Sequence, residues 1–121
     1  MGPQAPGSIG RQAEQRCRRF LEARGLVIIA GNYRGPRGEL DLIAREGDCT
    51  VFVEVRFRKR GHYGEGLETV DRRKRARLVA TAWHYLQRHP RSARGPCRFD
   101  VVSIGGDEQI RWIKNAFGLE D

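Results

Sequence analysis

Acidic residues occur inside two neighbouring segments, GELDLIA and VFVEVRFR, that otherwise have the composition of β-strands. β-branched and aromatic residues favour strands, and the REGD sequence between the segments is typical of a hairpin turn. Because side chains alternate along a strand, we expect Glu39 and Asp41 on one face of the first strand, and Glu54 and Arg56 on one face of the second. Carboxylates beside a buried strand are costly unless a cation compensates them. The pattern therefore indicates a divalent-metal or fixed-cation site, the type of site that cleaves phosphodiester bonds.

The composition is that of one small folded domain with a polyanionic partner. The chain has 121 residues, of which 39% are hydrophobic and 31% charged, which suits a single hydrophobic core and excludes a disordered chain. The formal net charge is +8. A strongly basic domain favours nucleic acid as its partner, and we expect DNA rather than RNA.

The sequence predicts a cytoplasmic protein. No apolar stretch approaches the roughly 20 residues that a membrane-spanning helix needs, and the first ten residues lack the basic and apolar regions of an export signal. The three cysteines, Cys17, Cys49 and Cys97, are scattered and have no zinc-ligand spacing. We interpret them as reduced thiols.

The first half of the chain predicts a helix followed by strands. Residues 1–7 are rich in glycine and proline and are expected to be disordered, which leaves a single domain over residues 8–121. Ser8 is a candidate helix cap, and Gly25 a stop. One apolar helical stripe lies between them, formed by Ala13, Cys17, Phe20 and Leu21. Residues 26–30 predict a strand and residues 31–38 a turn-rich connection.

The second half predicts a basic helix and two more strands. The helix is expected to begin after Thr69 and to end near Arg88. Its predicted buried stripe consists of Ala76, Val79, Ala80, Trp83 and Leu86. Residues 90–96 are predicted to be a loop, and residues 97–104 and 109–113 to be strands. We interpret Arg98 and Asp100, which share one strand face, as a structural ion pair.

Over residues 10–117 the chain resembles the YraN-like family of small proteins. The resemblance lies in the AE pair of the first helix, GELDLIA, VFVEVRFR, the Lys/Arg-rich start of the second helix, and RFDVVSI. This family is similar in turn to the restriction-endonuclease-like nuclease superfamily, whose signature is an acid followed by Glu-x-Lys on neighbouring strands. The resemblance implies an α/β fold with a mixed central sheet flanked by helices, in the order α-β-β-β-α-β-β.

The resemblance also implies catalytic residues and a metal. Asp41 corresponds to the metal-binding aspartate and Glu54 to the acid of the Glu-x-Lys element, with Mg²⁺ or Mn²⁺ as the expected cofactor. Arg56 stands where the lysine is expected, and Glu14 matches an accessory acid of the first helix. Arginine stays protonated and cannot be a base, so cleavage would need the metal alone or Lys74 reaching the site from the second helix.

The basic start of the second helix is a candidate nucleic-acid surface, formed by Arg72, Arg73, Lys74 and Arg75. Cations at a helix N-terminus oppose the helix dipole, which favours an anion nearby. Tyr63, in the glycine-rich segment 61–66, is a candidate base-stacking residue. A solvated helix face and an ordinary loop remain the alternatives for these two features.

Three further alternatives stay open for the protein as a whole. The acids could form structural salt bridges with Arg56 and Arg98. The nuclease fold could bind nucleic acid without cutting it, together with a catalytic partner. The chain could also bind protein through an edge strand. A homodimer is possible in any of these cases.

Overall fold

The computed structural model describes residues 6–57, 71–107 and 109–119, which form a central sheet with helices on both faces. The predicted cap Thr69 and the candidate stacking residue Tyr63 lie outside the described residues. The helices are α1 (Pro6–Glu22), α2 (Arg72–Arg88) and the short α3 (Pro90–Ala93). The strands are β1 (Val27–Gly35), β2 (Gly38–Glu46), β3 (Cys49–Phe57), β4 (Cys97–Ile104) and β5 (Ile110–Phe117).

The sheet is mixed and its five strands lie in chain order. All neighbouring pairs are antiparallel except β3 and β4, which are parallel. A parallel pair needs a long crossover, and α2 lies within that connection. The structure confirms the predicted α/β class, with a mixed sheet flanked by helices as in a restriction-endonuclease-like core.

Two apolar clusters lie on opposite faces of the sheet. On one face α2 packs through Leu78, Ala82, Tyr85 and Leu86 against sheet residues that include Leu40, Ile43, Phe52 and Phe99. On the other face α1 packs through Cys17 and Leu21 against sheet residues that include Leu42, Ala44, Val51 and Val53. The sheet is thus buried on both sides, which explains why its central strands are almost continuously apolar.

The first helix has the predicted stripe, whereas the second is rotated from its prediction. Ala13, Cys17 and Leu21 are buried, and α1 begins at Pro6, two residues before the predicted cap. The buried residues of α2 are Leu78, Thr81, Ala82, Tyr85 and Leu86. The predicted burial of Trp83 is wrong, since its side chain is 47% exposed. The ring of Tyr85 takes the core position instead, in edge-on contact with Tyr33 and Phe52.

Two strand boundaries and one loop also differ from the prediction. β1 extends to Gly35, which pairs with Gly38, so the predicted turn over residues 31–38 is reduced to a two-residue loop. β5 continues to Phe117. The predicted loop over residues 90–96 contains α3, which proline at its first position favours. Among the described helices, none combines the length and apolarity that crossing a bilayer requires.

Candidate active site

The backbone pairing between β2 and β3 ends next to Asp41, where a side-chain hydrogen bond continues the contact between the strands. The paired register runs from Glu46 opposite Cys49 to Leu42 opposite Val53. Immediately beyond it, Asp41 Oδ2 accepts a hydrogen bond of 2.8 Å from the backbone N–H of Val55. A carboxylate therefore satisfies a main-chain donor that the neighbouring strand would otherwise pair.

A local distortion of the sheet accompanies Asp41. Leu40 and Ile43 are three residues apart, yet both pack on the α2 face, whereas Leu42 packs on the α1 face. Strict alternation would place Leu40 with Leu42, so the alternation breaks at Asp41. On the adjacent strand Asn32 has a φ of 53°, in the left-handed region that asparagine tolerates. Because of this distortion, the direction of the Asp41 side chain does not follow the regular alternation of the strand.

Glu54 is buried on the central strand and forms an ion pair with α2. Its residue is only 6% exposed, and Lys74 Nζ lies 2.7 Å from its Oε2. Lys74 stands in the first turn of α2, and Asp71 Oδ1 caps that turn by accepting a hydrogen bond of 2.8 Å from the Lys74 backbone N–H. The start of the helix thus delivers a cation to the acid of the sheet.

The two acids interact strongly with each other. Burial is the largest cause that raises the pKa of Asp41, to about 8, followed by the charge of Glu54. The Val55 N–H opposes this rise, while the charge of Glu14 adds to it. Burial also raises the pKa of the Cys17 thiol to about 12, with smaller contributions from Asp41 and Glu14. Glu14 of α1 therefore lies close enough to act electrostatically on the same site.

An open polar cavity of about 320 Å³ contains the acid pair. Its lining residues are Gly38, Glu39, Asp41, Glu54, Val55, Lys74, Arg77 and Leu78. Two cations of α2 thus face three carboxylates of the sheet. A half-buried carboxylate with a raised pKa in a cleft, as at Asp41, is a common property of functional sites.

The structure brings only part of the predicted basic group to the acids. Lys74 lies in the cavity, Arg72 and Arg73 are exposed, and the guanidinium of Arg75 lies 5.3 Å from the centre of the Phe117 ring. Arg56 is half-buried on β3 and does not line the cavity with Glu54. Arg77 lines it but was absent from the predicted site, although its position one turn after Lys74 could have indicated this.

Arg98 belongs to a separate structural network. Its guanidinium contacts Asp100 through Nε, at 2.9 Å from Oδ1, and Glu46 through a second nitrogen at 2.7 Å from Oε1. Asp100 is fully buried and also accepts hydrogen bonds from Trp112 Nε1 and the Asn115 backbone N–H, both at 2.9 Å. The pair predicted from the sequence is therefore present, and it joins β4 to β5 rather than neutralising Asp41 or Glu54.

The donor set suits a hard divalent cation held by few protein ligands. Among the described residues, no group of three or more His, Cys, Asp or Glu side chains is arranged to hold a metal. Asp41 and Glu54 supply two carboxylates. Mg²⁺ keeps several waters and commonly uses one or two carboxylates together with substrate phosphate oxygens, so the residues present fit such an ion.

The fold and this site define a class: a small α/β protein with a carboxylate pair between neighbouring strands of a mixed sheet. The chain belongs to the family described as uncharacterised protein family UPF0102, the YraN family, whose model matches residues 13–104. This confirms the family resemblance of the sequence.

Relatives over nearly the whole chain support the same assignment. A UPF0102 protein of Ectopseudomonas mendocina (strain ymp) is 50% identical over 111 residues, which cover 90% of this chain and 93% of that protein. A UPF0102 protein of Pseudomonas fluorescens (strain Pf0-1) is 46% identical over 109 residues, covering 89% and 91%. A UPF0102 protein of Nitrosococcus oceani is 42% identical over 123 residues, covering 99% of each chain.

Proposed function

We propose that the protein is a divalent-metal-dependent nuclease that hydrolyses phosphodiester bonds, with DNA as its substrate. The observation that carries this proposal is the acid pair Asp41 and Glu54 in an open cavity, with Lys74 2.7 Å from Glu54. Two interacting carboxylates would destabilise the fold if their only role were structural. Their position in an open cavity of a basic protein is instead suited to a cation and a phosphate.

Asp41 and Glu54 would hold Mg²⁺ or Mn²⁺, with Glu14 as an accessory acid of α1. The bound ion would lower the pKa of a coordinated water and offset negative charge on the reacting phosphate. The Val55 N–H fixes one oxygen of Asp41, and Lys74 fixes one oxygen of Glu54. Both carboxylates are therefore oriented by contacts that do not depend on an ion, which reduces the entropy lost when a ligand binds.

Lys74 is the best candidate for the role that the superfamily pattern gives to a strand lysine. Arg56 occupies that strand position and remains protonated, so it can contribute only a fixed charge. Lys74 carries an ammonium that contacts the same glutamate from α2. Its three N–H donors can hold Glu54 and a phosphate oxygen or water together. Arg77, in the same cavity, adds a fork-shaped donor for the phosphate.

The charge distribution supports a nucleic-acid substrate. Arg72 and Arg73 are exposed at the start of α2, adjacent to the cavity residue Lys74. Phosphate contacts of this kind position a nucleic acid without reading its bases. We therefore expect recognition of backbone and shape rather than of sequence.

A second function, binding nucleic acid without cleavage, is favoured by one specific observation. The strand position of the expected lysine carries Arg56, which cannot act as a base. A nuclease fold that has lost its chemistry would keep its basic surface. It would bind DNA with a strong dependence on salt and would be indifferent to the Asp41 carboxylate.

Cleavage of labelled single-stranded, duplex and branched DNA distinguishes the two functions. Wild type is assayed with Mg²⁺, with Mn²⁺ and with chelator, beside Asp41→Asn, Glu54→Gln, Lys74→Met and Arg56→Lys. Glu22→Gln is the matched control, because it removes one negative charge from an exposed position of α1. Each variant is checked for folding by circular dichroism.

The nuclease proposal predicts metal-dependent cleavage that falls at least a hundredfold in Asp41→Asn, Glu54→Gln and Lys74→Met and is unchanged in Glu22→Gln. Calorimetric titration of Mg²⁺ or Mn²⁺ gives an independent readout, since binding should disappear in Asp41→Asn. Binding of DNA without cleavage under any condition, equal in wild type and Asp41→Asn, would refute it in favour of the second function.

A further inference from the structure

We infer that Arg45, Arg88, Arg91 and Arg94 form a second contact surface for the sugar–phosphate backbone of nucleic acid, at the end of α2 remote from the acid pair. These four residues are called the distal basic surface. The inference rests on the proposed nucleic-acid partner but not on cleavage. It would hold equally for a protein that binds without cutting.

The four arginines converge from three elements onto two adjoining cavities. One cavity has a volume of about 520 Å³ and the other about 610 Å³, and both are lined by Arg45, Arg91, Ser92 and Arg94. Arg88 lines the first cavity. The second is completed by backbone-rich and small residues, Gly47, Thr50, Gly95 and Pro96, together with Asp48. Small neighbours allow a bulky anion to approach the guanidinium groups.

The local fold holds these side chains in a defined arrangement. α2 ends at Arg88 and is capped by His89, whose ring stacks on Tyr85 with 3.9 Å between centroids and whose Nδ1 lies 2.8 Å from the Tyr85 carbonyl oxygen. Pro90 then begins α3. Arg91 and Arg94 are three residues apart, a spacing that places side chains of a helical turn on one side.

Within the part of the chain that the structure describes, few negative charges compensate the distal basic surface. Within residues 6–57, 71–107 and 109–119, no ion pair joins a carboxylate to any of the four arginines of this surface. Among the described residues that line the two cavities, Asp48 is the one carboxylate. Four positive charges brought together with one carboxylate nearby repel one another, and an external polyanion relieves that repulsion. Arginine forks also match phosphate oxygens bidentately.

The separation between the two basic regions fits a nucleic acid rather than a small anion. Lys74 and Arg88 are fourteen positions apart in one helix, which corresponds to about 21 Å at 1.5 Å per residue. Phosphates of one duplex strand advance about 3.4 Å per base pair along the axis, so about six base pairs span this distance. A duplex long enough to reach both regions should therefore bind more tightly than one that reaches only the first.

Binding of labelled DNA hairpins with duplex stems of about 4 and about 20 base pairs, of which only the longer spans both regions, tests this surface without cleavage when fluorescence anisotropy is followed in chelator. The double variant Arg91→Gln/Arg94→Gln is compared with Arg11→Gln/Arg19→Gln, which removes the same charge from exposed positions of α1. Thermal denaturation confirms that both variants are folded. Wild-type affinity is measured at several salt concentrations.

We expect the distal variant to lose at least tenfold in affinity for the longer duplex, and the control variant less than threefold. The slope of log affinity against log salt should fall by about 0.9 for each phosphate that the variant no longer neutralises, which is about 2 for the double variant. Equal losses in the two variants, no loss in either, or no binding by wild type would overturn the inference. Wild-type binding that depends on the distal arginines without any cleavage would overturn the nuclease proposal alone.

Discussion

Replacing Asp41 by asparagine should stabilise the folded protein at alkaline pH while abolishing metal binding. Asparagine keeps a carbonyl oxygen that can accept the Val55 N–H bond, so the local geometry is retained. It removes the charge that burial and Glu54 disfavour. The substitution therefore measures the free-energy cost of the buried charge while the local structure stays the same.

The raised pKa of Asp41 determines whether the folded protein gains or loses stability as the pH rises. Between pH 4 and pH 8, the folded protein keeps the proton on this carboxyl, because its pKa is about 8, whereas the unfolded chain releases it. The folded state binds more protons, so wild type loses stability as the pH rises through this window and levels off above it. Asparagine does not titrate, so the variant should not lose stability in this pH range for that reason.

The magnitude can be worked from the same shift. The pKa rises from 3.8 to about 8, and one unit corresponds to about 1.4 kcal/mol, which gives an upper limit of about 6 kcal/mol. Water in the open cavity and the coupled titration of Asp41 with Glu54 both reduce this limit. We therefore expect wild type to lose about 1 to 3 kcal/mol of stability relative to Asp41→Asn between pH 5 and pH 9.

Urea denaturation at pH 5, 7 and 9 in chelator measures the effect, with Glu22→Gln as the charge-matched control. The free-energy difference between Asp41→Asn and wild type should grow with pH, whereas the control should remain parallel to wild type. Added Mg²⁺ should stabilise wild type by about 2.7 kcal/mol at a hundred times its dissociation constant and leave Asp41→Asn unchanged. Parallel pH curves for Asp41→Asn and wild type would refute the electrostatic reasoning.

Two further predictions concern the framework around the site. Asp100→Asn should lower the free energy of unfolding by about 3 to 5 kcal/mol, because the fully buried carboxylate neutralises Arg98 and accepts bonds from Trp112 and Asn115; chemical denaturation measures this, and a loss below 1 kcal/mol would contradict it. Tyr85→Ala should cost about 3 to 5 kcal/mol and Trp83→Ala less than about 1 kcal/mol, since only Tyr85 is buried; the reverse order in thermal denaturation would contradict the observed orientation of α2.

The strands and their acids could be predicted from the sequence because two independent signals agree there. β-branched residues mark β2 and β3, and the REGD sequence between them fixes a hairpin, so Asp41 and Glu54 had to lie on neighbouring strands. The distortion at Asp41 carries no such signal. It depends on a main-chain bond to Val55 and on the left-handed backbone of Asn32 on another strand.

The rotation of α2 could not be predicted because the helix carries two apolar stripes. One contains Val79, Ala80 and Trp83, and the other contains Leu78, Ala82 and Tyr85. Periodicity alone gives both stripes the same spacing. The choice is made by ring packing with Tyr33 and Phe52, which are distant in sequence. The sequence predicts Lys74 as a nucleic-acid-binding residue that could also reach the site, whereas its contact with Glu54 depends on the observed rotation of α2.

The positions of the acid pair and of the central core residues both depend on the same pairing register between β2 and β3. Moving β3 by one residue relative to β2 would turn Glu54 to the opposite face, together with Phe52 and Val53. No misregistered form can therefore keep a well-packed interior while losing only its acids. Assembly of the site is a direct report on correct strand pairing, so recovery of metal binding after denaturation should follow recovery of the native core.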